Sequence, residues 1–285
     1  MLRSVVYASL FDYPLTLAQL HATLVEVHAE AATVAAWWRD SDFLQAAIEH
    51  RDGLYFPAGR SDLIDTRTRR EALSRDLLDR DRRLIALVSR MPFVRMVAVS
   101  GSLAHLNAER SADLDLFVIT APHRVWSVTL LMLVVARLLG WRKRMCLNYV
   151  ISERALRIDP ADLFAANQII HLRPIVGHDV FARFVDANPF VRKFYPNFVV
   201  GGTPYPKTHD PRPTTPPFER AARWIYGRHL ARKSVTWQSR DQVRLEAECL
   251  KLHTSSHRRD TLARYEAAVD AAARCADRPI ASAAR

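Results

Sequence analysis

One stretch of this sequence constrains the fold more than any other, because it places small and acidic residues at the ends of two short apolar segments. The apolar residues 97–99 run into Ser100-Gly101-Ser102, and ten residues later Asp113-Leu114-Asp115 opens a second apolar segment. Since side chains alternate across a strand, Asp113 and Asp115 would share one face, while Leu114 and Leu116 enter the core. The pattern predicts two strands with a polar corner between them.

The residues at this corner suit a metal ion and a phosphate group. Two carboxylates on one face of a strand repel each other unless a divalent cation lies between them. Gly101 and Ser102 offer an anionic ligand a position without Cβ, exposed N–H groups and a hydroxyl donor. A triphosphate bound there would bring its oxygens to metal ions on the two aspartates. The sequence therefore predicts a Mg²⁺ site with the layout that phosphoryl or nucleotidyl transfer needs.

A Gly-Ser pair followed after ten residues by Asp-x-Asp on a strand resembles the signature of the polymerase β-like nucleotidyltransferase superfamily. The chain also resembles a bacterial group in which a winged helix precedes such a domain, through residues 10–16 (Leu-Phe-Asp-Tyr-Pro-Leu-Thr) and 249–253 (Cys-Leu-Lys-Leu-His). The resemblance implies transfer of a nucleoside monophosphate from a nucleoside triphosphate to an acceptor hydroxyl of a protein or small molecule, with two Mg²⁺ ions. By this resemblance, Gly101 and Ser102 would hold phosphates, and Asp113 and Asp115 would bind metal as the catalytic carboxylates.

The third carboxylate of that superfamily lies on a later strand, and residues 146–150 fit its place with Asn148. Asparagine brings no charge to a metal and cannot take a proton. Glu153 could substitute only if the end of the strand curled back. Leu106 and Ala112 also depart from the pattern, at positions where many members have Gly and Ser. An inactive nucleotide-binding or protein-interaction module is therefore the alternative to an enzyme.

The first 60 residues predict three helices followed by a hairpin, the order of a winged-helix module. Thr16 is expected to cap the second helix, a third runs from Ala31 to Ile48 with a kink near residues 40–42, and Gly53 lies in the hairpin turn. This segment carries 4 basic and 7 acidic residues. Because contact with phosphates needs cations, we expect a packing or protein-interaction role, and a DNA-binding regulator is the further alternative.

The rest of the chain completes an α+β organisation, a nucleotidyltransferase-like mixed sheet with helices between a winged-helix module and a helical region. Residues 61–90 predict one long charged helix, and residues 91–200 the nucleotidyltransferase-like domain, helical beyond residue 160 with breaks at Pro174 and Pro189. Residues 201–217 hold six of the 15 prolines and predict a linker, and residues 218–285 predict a helical C-terminal region.

The apolar segment 125–139 is too short for a transmembrane helix and includes Arg137. We expect a buried helix over the sheet. The alternative is an interfacial helix, with Arg142, Lys143 and Arg144 on anionic lipid, which leaves peripheral membrane contact open.

The composition points to a cytoplasmic protein. The three cysteines, Cys146, Cys249 and Cys275, are odd in number and widely spaced, which argues against a disulfide framework and a thiolate zinc site. The first apolar run ends too soon at Asp12 for a signal peptide. Although the net charge is +11, only five of the 41 basic residues are Lys, so composition alone does not indicate nucleic-acid binding.

Three further features have two interpretations each. His105 lies in the predicted phosphate loop, where it would contact a phosphate or remain a surface imidazole. His253 and His257 are spaced as zinc ligands on a helix, but a solvated face explains them as well. The pair Trp37-Trp38 would stack on bases or pack in a core, and core packing is the default.

Overall fold

The computed structural model describes residues 1–201, 216–234, 237, 243–252 and 257–276. These residues form an α+β structure with a mixed multi-stranded sheet. The first elements are short, and the strands among them form a three-stranded antiparallel sheet in the order β1-β3-β2. These elements are α1 (Leu2–Ser9), β1 (Leu15–Thr16), α2 (Leu17–Ala22), α3 (Ala31–Arg39), α4 (Asp42–Ala47), β2 (Ile48–Arg51) and β3 (Leu54–Pro57).

Local sequence signals explain the boundaries of these N-terminal elements. Thr16 Oγ1 accepts a hydrogen bond from Gln19 N at 3.2 Å, and Gln19 Oε1 accepts one from Thr16 N at 3.0 Å, which is a reciprocal capping box. The predicted third helix is two helices, α3 and α4. The second begins after Ser41, whose Oγ accepts a hydrogen bond from Leu44 N. The cap for α2 is therefore confirmed, and the expected kink is a complete break.

The segment predicted as one long helix contains two, α5 (Asp62–Arg80) and α6 (Arg82–Ser89). Asp81 lies between them, and its side chain is buried. Its carboxylate forms ion pairs with Arg80 at 2.6 Å and Arg144 at 2.9 Å. These two partners compensate the charge of the buried carboxylate at the junction of the two helices.

The second sheet has the strand order β7-β4-β5-β6-β9-β8 in the described part of the chain. The β5–β6 pair is parallel and the other pairs are antiparallel. The elements that build it and cover it are β4 (Val94–Val99), α7 (Gly101–Ala104), β5 (Leu114–Thr120), α8 (Val125–Leu138), β6 (Met145–Ser152), α9 (Leu163–Ile170), β7 (Arg173–Val176), α10 (His178–Asp186), α11 (Phe190–Phe194), α12 (Pro217–Lys233), β8 (Val243–Leu245), β9 (Cys249–Leu252) and α13 (Arg258–Ala276).

Alternate residues of the central strands enter two cores, one on each face of the sheet. On one face, Leu114 and Leu116 of β5 pack with residues of α6 and α8. On the other face, Phe117 and Ile119 pack with residues of α9 and α10. Asp115 lies between Leu114 and Leu116 in β5, so strand alternation places it on the face of Phe117.

Helix α8 covers the sheet, as the interpretation of a buried helix predicts, because Trp126, Val128 and Met132 are buried in its core. Its outward side leaves Leu131, Val134 and Leu138 exposed. In the residues that the structure describes, no helix combines the length and the apolar character that crossing a bilayer requires.

Two expectations about secondary structure are wrong. The region after residue 217 is not wholly helical, because β9 pairs with the outer edge of β6 and β8 pairs with β9. Pro174 lies in strand β7 rather than at a helix break, and β7 is an edge strand, where a residue without an N–H is tolerated. Most of the Pro-rich segment, residues 202–215, lies outside the described residues.

Candidate functional site

The site is built around the corner that follows β4. Ser100 N donates a hydrogen bond to Asp115 O at 2.9 Å, so the end of β4 is fixed to the start of β5. Gly101 adopts a φ of +64°, and a Cβ at this position would lie 2.5 Å from Asp115 Oδ2. Glycine is therefore required twice, for its conformation and for the close approach of the Asp115 carboxylate. The structure brings Gly101 and Asp115 into direct proximity.

The loop after the corner keeps its shape through backbone contacts. Asn107 N donates to Ser102 O at 2.9 Å, and the Ser102 side chain is exposed. Leu106, which stands where a Gly was expected, has a φ of +55°. The backbone thus adopts the left-handed conformation that favours Gly even though the residue has a Cβ, at some cost in conformational energy.

Asp113 and Asp115 occupy the beginning of β5 in different environments. Asp113 precedes the strand and is exposed, whereas Asp115 is half-buried. Burial, with a smaller contribution from the charge of Asp113, raises the pKa of Asp115 to about 6, although a hydrogen bond with Cys146 acts in the opposite direction. The carboxylates therefore form a repelling pair whose oxygens suit a hard divalent cation.

The residue of β6 beside Asp115 is Cys146, which the sequence analysis did not select. The parallel ladder pairs Asp115 with Cys146 and Phe117 with Tyr149, with an irregularity between them. Asn148 lies in that irregular interval of β6. Burial, together with the charges of Asp115 and Asp113, raises the pKa of Cys146 to about 12. The thiol therefore stays protonated at neutral pH and is a hydrogen-bond donor rather than a nucleophile or a charged ligand.

Glu153 is far from the two aspartates, so the idea that it replaces the third carboxylate is wrong. Its N–H donates to Thr120 O at 3.0 Å, which places it beside the opposite end of β5 from Asp115. Its carboxylate pairs with Arg183 at 2.6 Å and Arg95 at 3.4 Å. The described residues contain no group of three or more His, Cys, Asp and Glu side chains arranged to hold a metal ion.

A cavity of about 180 Å³ adjoins Asp115, and we call it the charged cavity. Its wall includes Gly101 and Asp115 on the sheet side and two cations from the C-terminal region, Lys251 of β9 and Arg258 of α13. Arg258 forms an ion pair with Asp162. The cavity therefore brings together the predicted corner and cations from residues about 150 positions further along the chain.

Lys251 is the cation that sequence reasoning missed. It is only 6% exposed, and its Nζ lies 5.4 Å from the centroid of the Tyr149 ring. Within the described part of the chain it forms no ion pair with a carboxylate. Burial lowers the pKa of Lys251, and the charge of Arg244 lowers it further. A buried cation of this kind is suited to an anionic ligand.

A second cavity, of about 460 Å³, lies on the other side of the corner. We call it the neutral cavity, because the described residues that line it include no Asp, Glu, Lys or Arg. Its walls come from α1, α7, α9 and α13, and it shares Gly101, Phe164 and Gln168 with the charged cavity. The two cavities therefore meet at the Gly101 corner.

His105 belongs to the neutral cavity and is not a surface imidazole. Its ring stacks on that of His171 with 4.0 Å between centroids. His171 Nδ1 lies 2.8 Å from Asn167 O, and since a carbonyl can only accept, this nitrogen carries the proton. Burial lowers the pKa of His171 to about 4 and lowers that of His105 well below its ordinary value. Both rings are therefore neutral at physiological pH.

The remaining predicted candidates have other positions or cannot be placed. Arg144 pairs with Asp81, and Lys143 is exposed. Trp37 and Trp38 pack against the core of the N-terminal elements. His257 lines the neutral cavity, but His253, its proposed zinc partner, lies outside the described residues.

Comparison of the chain with models of protein families, with curated protein sequences and with solved structures finds no match.

Proposed function

We propose that this protein binds a nucleoside triphosphate with Mg²⁺ and transfers the nucleoside monophosphate to an acceptor hydroxyl. The observation that carries the proposal is the position of Asp115. Its carboxylate lies against Gly101, beside Asp113, in the wall of a cavity that also contains the buried Lys251. A carboxylate and a buried ammonium group in the wall of one small cavity are suited to a metal-bound anion.

The side chains that are present fit a magnesium ion. Asp113 and Asp115 supply oxygen ligands, which Mg²⁺ prefers, and Mg²⁺ commonly takes only one or two carboxylates together with phosphate oxygens and water. A bound cation would also relieve the repulsion that contributes to the raised pKa of Asp115. When bound, the ion supplies charge neutralisation for the phosphates.

The rest of the corner provides contacts for phosphate oxygens. Gly101 lets the backbone approach closely, the exposed Ser102 hydroxyl is a donor, and Lys251 adds a positive charge in the wall of the charged cavity. In the proposed step, the acceptor oxygen bonds to the α-phosphorus and the bond from that phosphorus to the bridging oxygen breaks. Pyrophosphate leaves, and the hydroxyl proton passes to water. Positioning and charge stabilisation account for catalysis of this kind.

We also propose that the second sheet is a nucleotidyltransferase-like core and that the N-terminal elements are a winged helix. In support, the antiparallel pair β4–β5 is followed by helix α8 and then by β6 parallel to β5, with the acidic residues at the start of β5. This order suits a nucleotidyltransferase-like core. The N-terminal helices followed by the β2–β3 hairpin likewise suit a winged helix.

A second candidate is a protein that binds nucleotide without catalysis. It is favoured by Cys146, a protonated thiol, as the β6 neighbour of Asp115, and by the distance of Glu153 from the site. Among the described residues, neither Cys146 nor Glu153 supplies a base for the acceptor hydroxyl at the place expected for the third carboxylate.

One experiment separates the two candidates. Purified protein is incubated with Mg²⁺, each of the four α-labelled ribonucleoside triphosphates and a cell extract, and both labelled products and pyrophosphate are measured. We expect a Mg²⁺-dependent labelled product with matching pyrophosphate, and its loss in Asp115→Asn. Nucleotide binding without pyrophosphate release would favour the second candidate, and absence of any binding would reject both.

A further inference from the structure

The neutral cavity has the size and lining of a site for a small organic molecule. Its volume of about 460 Å³ falls in the ordinary range of ligand pockets. Much of the wall is aromatic, with Tyr7 from α1, Phe11 from the turn after α1, Phe164 from α9 and Tyr195 after α11. Such rings favour an apolar or aromatic ligand that can stack or pack against them.

The uncharged lining of this cavity disfavours an ionic ligand. The described lining residues carry no permanent charge, and the stacked histidines are held neutral by burial. A carboxylate, phosphate or ammonium group placed here would lose its hydration without gaining an opposite charge. The charged cavity next to it has the contrary character.

Polar side chains nevertheless line the neutral cavity, and one of them, Gln168, belongs to both cavities. Neither ring nitrogen of His105 forms a hydrogen bond within the described residues, and the same holds for the side-chain amide of Gln168. Gln168 lines both cavities, and Ser102 lies in the wall of the neutral cavity beside Gly101. A ligand with a hydroxyl group could satisfy these atoms while its apolar body remains among the aromatic rings.

We propose that the neutral cavity binds the acceptor, an uncharged, largely apolar small molecule with its hydroxyl directed to the junction formed by Gly101 and Gln168. The identification of this ligand as the acceptor rests on the proposed function, whereas the binding of an uncharged hydroxylated molecule does not. The shared walls of the two cavities place such a hydroxyl beside the site proposed for the triphosphate.

The test uses 2-naphthol as a neutral hydroxylated probe and naphthalene-2-sulfonate as its charged counterpart, with binding measured by calorimetry on the full chain. We expect 2-naphthol to bind and the sulfonate to bind at least about tenfold more weakly. His105→Phe keeps a stacked ring and removes both nitrogens, so it should weaken 2-naphthol binding about fivefold without lowering the midpoint of thermal unfolding at neutral pH. His50→Phe is the matched control, because His50 also stacks on a ring, that of Tyr55, at 4.3 Å and lies outside the cavity.

A second variant tests whether 2-naphthol binds in the neutral cavity, and it does so without removing a polar group. Ala8→Phe places a large side chain in the wall formed by α1, and it should abolish 2-naphthol binding while nucleotide binding persists. Failure of 2-naphthol to bind the wild-type protein, equal binding of the sulfonate, or unchanged binding by Ala8→Phe would overturn the proposal.

The same probe separates this inference from the proposed function. Simultaneous binding of 2-naphthol and Mg²⁺-nucleotide supports the acceptor role, whereas competition between them would assign the neutral cavity to the nucleoside and overturn that role. If 2-naphthol binds as expected and no nucleotide does, the proposed function fails and the neutral ligand site stands.

Discussion

The two cavities that meet at Gly101 differ in electrostatic character although they share part of their walls. The charged cavity contains Asp115 and Lys251, whose pKa values both shift against the charged form, so each is held at some expense to the stability of the free protein. The neutral cavity instead holds histidines that remain uncharged. Carboxylate and ammonium side chains therefore line one cavity, whereas the described lining of the adjoining cavity contains neither.

The largest effect should come from Asp115→Asn, which keeps the volume of the side chain and removes its charge. We expect the affinity for Mg²⁺-nucleotide to fall by at least about 100-fold. The free protein should become more stable by about 1 kcal/mol, because a half-buried carboxylate beside Asp113 disappears. Thermal unfolding with and without Mg²⁺-nucleotide measures both effects.

Asp76→Asn is the control, since Asp76 is exposed on α5. If Asp115→Asn and Asp76→Asn gave the same nucleotide-induced rise in the unfolding midpoint, the role of Asp115 would be refuted.

A smaller loss is expected from Lys251→Met, which retains a long apolar side chain. Nucleotide affinity should fall about 30-fold, and its dependence on salt should weaken, because one phosphate-binding charge is removed. Binding of 2-naphthol in the neutral cavity should not change. Lys193→Met, at an exposed position of α11, serves as the control in equilibrium dialysis. An unaltered nucleotide affinity in Lys251→Met would show that Lys251 does not contribute to phosphate binding in the charged cavity.

Protonation of His171 in the wall of the neutral cavity should make the free energy of unfolding depend on pH. The pKa of His171 is about 4 in the folded protein and about 6.5 when unfolded, so the unfolded chain binds the extra proton first as the pH falls. Stability from this residue is fully present above about pH 6.5 and is lost on descending through about pH 4. By about pH 5, the loss should reach about 2 kcal/mol.

Urea unfolding across this pH range tests the expectation against His171→Gln, with His28→Gln at an exposed position as control. The difference in unfolding free energy between the wild type and His171→Gln should change with pH. A constant difference would contradict the neutral state assigned to His171.

The smallest expected effect is the difference in unfolding free energy between Ala substitutions at two glycines of similar backbone conformation. Gly101 and Gly53 have φ values of +64° and +75°, but a Cβ would meet Asp115 Oδ2 at 2.5 Å in the first and no atom within 4 Å in the second. Both Ala variants carry the backbone strain, and Gly101→Ala should lose about 1 kcal/mol more unfolding free energy. Denaturant titration measures this, and equal losses would show that the close approach to Asp115 has no energetic effect.

The parts of the fold set by local patterns could be predicted from the sequence. Strand alternation is enough to separate Asp115 from Leu114 and Leu116, and the helix cap at Thr16 follows from its residue type and position. The burial of α8 likewise follows from its apolar length. These predictions succeed because each depends on residues close together in the chain.

The parts that depend on long-range pairing could not be predicted. Lys251 reaches the charged cavity because β9 pairs with β6, and no periodicity in so short a strand indicates that partner. Cys146 neighbours Asp115 through the parallel register of β5 and β6, whose irregularity has no local signal. The neutral cavity forms from α1 and α9, and the sequence does not indicate that these helices meet.

The most direct test of this account is calorimetric titration of the wild-type protein with ATP, GTP, CTP and UTP, each in the presence and absence of Mg²⁺. We expect saturable binding of at least one triphosphate with Mg²⁺ and little or none after the metal is chelated. Absence of binding by all four, or binding of equal strength with and without Mg²⁺, would contradict the assignment of the carboxylates beside Gly101 to a metal-bound triphosphate.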